Sequence, residues 1–293
     1  MKNFIIIGLA ILMSGCMKLN DLAFINEPLT EYQLDNYDPT PDDSLDFILD
    51  ASYDVGNIHQ FTVNSGGYDI AAIYIGDINT ISWDTIILYC HGQSLHMDYY
   101  WQRAKLLANC GGNERFGVLM FDYRGYGLSE GTPTEEGLYE DVRAVYGWLL
   151  EQNATPANII AYGFSLGSAP ATDLIAFGHN DTKPAKLILE SPFASTDFIT
   201  QESTLIDVSA SYITTLKFDN AEKIKSIYEP FMWMHGEEDD YVAITNGEEI
   251  ARNYPGDNPV IVRVQGANHG KDGVPQTMGF QNYLQEIENF ITQ

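Results

Sequence analysis

The sequence predicts an α/β fold: a mostly parallel sheet with helices packed on both faces. Three observations carry that prediction. Continuous apolar runs at residues 85–90 and 231–236 suit strands buried on both sides of a parallel sheet. Between such runs, apolar residues recur at helical spacing. Met97, Tyr100, Trp101, Ala104 and Leu107 form one stripe; Leu138, Val142, Val145, Trp148 and Leu149 a second; Phe280, Tyr283, Leu284, Ile287 and Ile291 a third. Finally, Gly163-Phe164-Ser165-Leu166-Gly167 is a G-x-S-x-G turn set between the short apolar run Asn158-Ile159-Ile160 and a helix-like stretch, residues 168–175.

The remaining elements follow in order. Residues 57–64 and 68–75 read as a hairpin around Asn64-Ser65-Gly66-Gly67. Further strands are expected at 185–189 and 259–264, and residues 192–230 occupy the position of a small, polar cap. A chain of 293 residues, 45% hydrophobic and 12% aromatic, suffices for one such domain with a large core.

The G-x-S-x-G run explains itself chemically. Small residues on either side of a sharp turn let a serine oxygen stand exposed at the end of a strand, and the helix that follows aims backbone N–H groups at developing negative charge. Ser165 is therefore the candidate nucleophile. A nucleophilic serine needs a base, and the base an orienting acid, in the chain order serine, acid, histidine. Of the histidines after Ser165, His179 reads as a helix-end residue and His235 as a buried strand end. His269 lies in a small-residue loop after the strand at 259–264, where active-site groups collect in open α/β sheets. It is the candidate base. The acid is expected after the strand ending at Gly236. There Glu237, Glu238, Asp239 and Asp240 compete, and spacing alone does not choose among them. Clustered like charge is expected to raise the pKa of some of them. The backbone amides of Gln93 and Leu166 are the candidate oxyanion donors, with His91 shaping the Gln93 loop rather than acting as a base.

Together these residues resemble the α/β-hydrolase superfamily, and within it the compact, short-lid serine hydrolases typified by abhydrolase-domain protein depalmitoylases and their bacterial relatives. His91-Gly92-Gln93 is similar to that group's HGN-type oxyanion loop, with glutamine in place of asparagine. The stretch from Asp122-Tyr123-Arg124-Gly125-Tyr126-Gly127 to Gly131 is similar to its DYRGYGxSxG segment. Glu190-Ser191-Pro192-Phe193-Ala194-Ser195 is like its ESPF-x-S segment, and His235-Gly236-Glu237-Glu238-Asp239 like its HGxxD. The resemblance covers about residues 55–291. It implies the α/β-hydrolase fold, a mostly parallel eight-stranded sheet with helices on both faces and a small cap. It also implies Asp239 as the acid, His269 as the base, and hydrolysis of a carboxylic ester or thioester through an acyl-enzyme. Ser191, Ser195 and Thr196 read as turn residues.

The first residues carry a separate signal. A basic start, Met1-Lys2-Asn3, precedes a ten-residue apolar run at 4–13 and then Ser14-Gly15-Cys16. The run is too short to span a bilayer. The pattern resembles a bacterial lipoprotein signal over residues 1–15, with lipidation at Cys16 and residence in the cell envelope, the outer membrane if the cell is Gram-negative. Residues 16–50, rich in Asp, Asn and Pro, are expected to form an acidic tether, and 51–293 the hydrolase domain. No Lys or Arg occurs between Lys18 and Arg103.

A net charge of −26 argues against nucleic acid as a partner. Neither HExxH nor paired CxxC occurs to suggest a catalytic metal, and no GxGxxG opens a helix to suggest a dinucleotide, so no cofactor is expected. Cys90 and Cys110 are expected at opposite edges of the sheet, beyond disulfide reach, as free thiols. Two rivals stand beside the esterase reading. One is a serine peptidase of prolyl oligopeptidase-like chemistry. The other is a non-catalytic binding lipoprotein of the envelope.

Overall fold

The hairpin comes first in the sheet. Ile58–Ser65 (β1) and Tyr68–Ile75 (β2) pair antiparallel, Ser65 opposite Tyr68, and the chain reverses through Gly66 and Gly67, both at positive φ (59° and 98°). A two-residue turn of that hand is open to glycine without strain. Six more strands follow: Ile86–Cys90 (β3), Gly117–Phe121 (β4), Ile159–Phe164 (β5), Lys186–Glu190 (β6), Phe231–Gly236 (β7) and Val260–Val264 (β8). Their order across the sheet is β1-β2-β4-β3-β5-β6-β7-β8. Only β2 runs against its neighbours; from β4 to β8 all pairing is parallel. This is the α/β-hydrolase sheet the motifs implied. The computed structural model describes residues 23–39, 45–178, 182–203 and 214–293. The expected signal segment with Cys16, His179 and residues 204–213 of the cap lie outside the described residues.

The chain moves to one side of β3 to form β4 and to the other to form β5. The C-terminal ends of β3 and β5 therefore flank a switch point, where open α/β sheets leave a crevice for ligands. The loop carrying Gln93 leaves β3 there, and Ser165 leaves β5.

Helices cover both faces. Met97–Ala108 (α1) and Phe280–Thr292 (α8) bury Trp101, Leu107, Tyr283 and Ile287 against one face. Glu135–Glu151 (α2) and Ser168–Ala176 (α3) bury Leu138, Val142, Leu149 and Ile175 against the other. The three expected stripes all pack inward; Trp148, Phe280 and Ile291 are partly buried at the margins. Thr196–Ser203 (α4) and Asn220–Lys223 (α5) belong to the cap region, Thr245–Asn253 (α6) follows β7, and Val274–Met278 (α7) precedes α8. Cys90 and Cys110 are free and buried; burial, with Glu288 adding to it, pushes the Cys110 thiol up to about 12.

The acidic tether is corrected over its described residues. Ile25–Asn26 pairs in parallel with Ser94–Leu95, and Phe24 and Leu49 are buried. The Asp98 carboxylate accepts from the backbone of Gln33 and Leu34 (2.9 and 2.7 Å), and Gln102 accepts from Leu49 N–H (3.0 Å). Asp35 pairs with Lys105 and Asp46 with Arg103 (2.5 and 2.8 Å). Helix α1 thus carries polar residues on its outer face because the N-terminal segment covers them. Two of the segment's acidic groups, Asp35 and Asp46, thus meet the first cations to appear after Lys18.

Candidate active site

Ser165 sits at φ 51°, a left-handed conformation that few non-glycine residues adopt, and opens the turn leading into α3. The glycines beside it are required by close approach. A Cβ at Gly163 would meet Gly167 O at 2.5 Å, and one at Gly167 would lie 2.0 Å from Cys90 O. The elbow packs backbone to backbone against the end of β3, and no side chain can give way. Gly167→Ala should destabilise the fold by ~1–3 kcal/mol, the usual cost of overpacking. Thermal melting checks this, and an unchanged melting temperature would mean the elbow has room the geometry denies it.

His269 comes from the loop after β8. Its Nε2 lies 2.9 Å from Ser165 Oγ and its Nδ1 2.8 Å from Asp239 Oδ2. Asp239 is the one of the four competing acids that turns inward; its carboxylate is fully buried, whereas Glu237, Glu238 and Asp240 are exposed. Oδ1 accepts from the Tyr241 and Val242 amides (3.1 and 2.8 Å). Trp233 Nε1–H donates to His235 Nδ1 at 3.2 Å, so the proton of His235 sits on Nε2, 2.8 Å from Val242 O and 3.2 Å from Asp239 Oδ2.

Burial pushes the Asp239 carboxyl up. Hydrogen bonds from His235 and His269, the charge interaction with His269 and the Val242 amide outweigh it, and hold the group well below the ordinary carboxylate range. The expectation of raised pKa values in this acidic run is therefore reversed for Asp239. An ionised Asp239 can only accept, so His269 carries its proton on Nδ1 and leaves Nε2 free to take the serine proton.

Several contacts hold the loops in register. The Asn268 side chain accepts from the amides of His269 (2.7 Å) and Asp240 (3.1 Å). The end of β7 lies so close to the His269 loop that a Cβ at Gly236 would meet Ala267 O at 2.2 Å. Gln276 donates to both Asp46 O and Gly270 O (each 3.0 Å), tying the N-terminal segment to the same loop. The His269 ring lies 5.3 Å from Phe164 and 5.1 Å from Tyr241, centroid to centroid.

Ser165 and His269 open into a cleft of about 480 Å³, lined also by Ile25, Gln93, Tyr99 and Tyr241. Gln93 O is held by Ile25 N–H (3.1 Å) and the Tyr126 hydroxyl (2.9 Å). Leu166 lies in the first turn after Ser165, where amides have no intrahelical acceptor. The structure thus brings Ser165, His269, Asp239, Gln93 and Leu166 to one end of the sheet. His91 is buried in the Gln93 loop, its Nε2 3.1 Å from Asp122. The Ser195 hydroxyl accepts from Phe198 N–H (3.1 Å) and caps α4, whose first residue is Thr196, so these two belong to a helix start rather than to the expected turn. Residue order alone did not reveal His235, Asn268, Tyr241 and Asp46 at the site. Only His235 carried a signal, its place four residues before Asp239.

Residues 82–229 match the family described as serine aminopeptidase, S33. A protein of Mycobacterium tuberculosis is 31% identical over 216 residues, covering 71% of this chain and 69% of that one. The human alpha/beta hydrolase domain-containing protein 17B is 29% identical over 211 residues, 71% of this chain and 66% of its own length. Among solved structures, the Pyrococcus furiosus esterase Pf2001 superposes with a TM-score of 0.63 at 17% identity, covering 92% of this chain and 97% of the esterase; this likeness shows the fold.

Proposed function

This chain belongs to the α/β-hydrolase superfamily, in the family described as serine aminopeptidase, S33, and from that premise we propose that it is a serine hydrolase cleaving carboxylic esters or thioesters. The observation that carries the proposal is the unbroken line Ser165–His269–Asp239 at the sheet's switch point, opening into the cleft. Ser165 Oγ attacks the acyl carbon while His269 Nε2 takes its proton. Asp239 holds the imidazole in the productive tautomer and offsets its positive charge. The Gln93 and Leu166 amides receive the oxyanion. His269 then protonates the leaving alcohol or thiol, and water cleaves the acyl-enzyme by the same steps. The chain acts at the cell envelope, lipid-anchored at Cys16, on small acyl substrates.

A peptidase is the second reading, favoured by the family's description. An aminopeptidase has to hold a free ammonium group beside the serine. Among the described residues two carboxylates line the cleft; Asp46 is committed to Arg103, so an ammonium group would fall to Asp240 alone. The test is fluorophosphonate labelling of the purified protein beside Ser165→Ala, followed by matched ester and amide substrates. Labelling lost in the variant, with ester cleavage, is the expected result. Amide cleavage without ester cleavage would move the assignment to the peptidase. A folded wild type that does not label would overturn the serine mechanism.

A further inference from the structure

We propose that the Gln93 side chain and Tyr241 form a latch across the cleft that selects substrates by the size of their leaving group; this rests on the serine hydrolase reading above. Gln93 follows β3 and Tyr241 follows β7, strands three positions apart in the order β3-β5-β6-β7. At the spacing of paired strands that is about 14 Å, with the end of β5 and Ser165 in between. The two loops nevertheless meet, because Gln93 Nε2 donates to the Tyr241 hydroxyl. Both residues line the cleft that holds Ser165 and His269.

The side chains suit this span. The Gln93 side chain, with two methylenes between its backbone and its amide, reaches the tyrosine hydroxyl from the β3 loop. Tyr241 is tied at its other end, since its backbone N–H donates to Asp239 Oδ1 (3.1 Å). Its ring stands 5.1 Å from the His269 imidazole yet is 59% exposed, so it forms the outer rim of the site. The leaving group has to lie beside His269, which protonates it. The latch therefore borders the leaving-group side, while Ile25, Leu95 and Tyr99 supply apolar wall for the acyl part. A small leaving group fits beneath the closed latch; a large one requires the hydrogen bond to open.

The test compares phenyl butyrate with biphenyl-4-yl butyrate, which share an acyl group and differ in leaving-group bulk. Tyr241→Phe keeps the ring and removes the hydroxyl. It should raise kcat/KM for the biphenyl ester at least five-fold relative to the phenyl ester. Gln93→Asn should shift the ratio likewise, and the double variant no further than either single one, as for two halves of one interaction. Equal effects on both esters, or additive effects, would overturn the latch. Amide hydrogen exchange supplies a readout independent of turnover. Either substitution should speed exchange in both residues 91–95 and 238–242, and unchanged exchange in both variants would overturn the latch. Should the wild type cleave neither ester, fluorophosphonate labelling decides the serine hydrolase reading separately, and exchange still decides whether the two loops are latched.

Discussion

Asp239→Asn should leave the chain folded and lower turnover by about four orders of magnitude, the scale set by a wrong histidine tautomer in a serine triad. Four donors converge on this carboxylate. The Val242 and Tyr241 amides reach Oδ1, and His269 Nδ1–H and His235 Nε2–H reach Oδ2. An asparagine offers one acceptor and one donor in their place. With its NH₂ toward the histidines, it meets the His235 proton that Trp233 holds on Nε2. It also turns His269 Nδ1 into an acceptor, which moves the imidazole proton to Nε2, where it blocks transfer from Ser165. With its NH₂ toward the backbone, it meets two amide donors. Either orientation contains a conflict, so part of the loss will appear as stability.

The pH dependence has a definite sign. The folded pKa of Asp239 lies below its unfolded value of about 3.9, so its contribution to stability is complete well above that value. It falls away as pH drops toward the depressed native pKa. The melting-temperature gap between wild type and variant should be flat from about pH 5 upward and narrow in acid. Turnover of the variant within ten-fold of wild type would remove Asp239 from its proposed role.

How much of this was legible in the sequence depends on the range of each interaction. The elbow is local: glycines two residues either side of Ser165, a strand before and a helix after, so five residues sufficed. The acid was not local. Glu237, Glu238, Asp239 and Asp240 have the same chemistry, and only the turn that returns Asp239 N–H to Gly236 O (3.5 Å) aims one of them inward. Composition misread the N-terminal segment for a similar reason. Asp35 and Asp46 look like solvated charge until the fold brings Lys105 and Arg103 to them, about 60–70 residues along the chain. Gln93 and Tyr241 are 148 positions apart and belong to no spacing rule. The proposed oxyanion donors are backbone groups, so they were read from the motifs around 93 and 166 and not from side-chain identity there.

Glu190→Gln should cost the fold about 3–5 kcal/mol, the penalty for breaking a buried ion pair by removing one of its charges. Glu190 is fully buried. It accepts from Arg103 at 2.9 Å, from the Tyr283 hydroxyl at 2.9 Å and from the Tyr162 hydroxyl. Arg103, 4% exposed, divides its charge between Glu190 and Asp46, and its guanidinium carbon lies 3.9 Å from the centre of the Phe164 ring. Neutralising Glu190 leaves Arg103 with Asp46 alone, and the tyrosine hydroxyls lose an ionic acceptor. For a domain of this size the loss corresponds to a melting temperature lower by very roughly 6–20 °C. Arg103→Met should cost a comparable amount, stranding two carboxylates. The double variant Arg103→Met, Glu190→Gln should cost less than the two separately, because the residues share one charge network. Urea denaturation of the four proteins measures this directly, and strict additivity would show that the cluster is not a unit. The effect should reach the site as well. Phe164 immediately precedes Ser165 and faces the His269 ring at 5.3 Å, so the guanidinium beneath it is part of what fixes the distance between serine and histidine. Under conditions where the single variants remain folded, they should therefore lose fluorophosphonate labelling rate, with the larger loss in Arg103→Met, which removes the cation from under the ring.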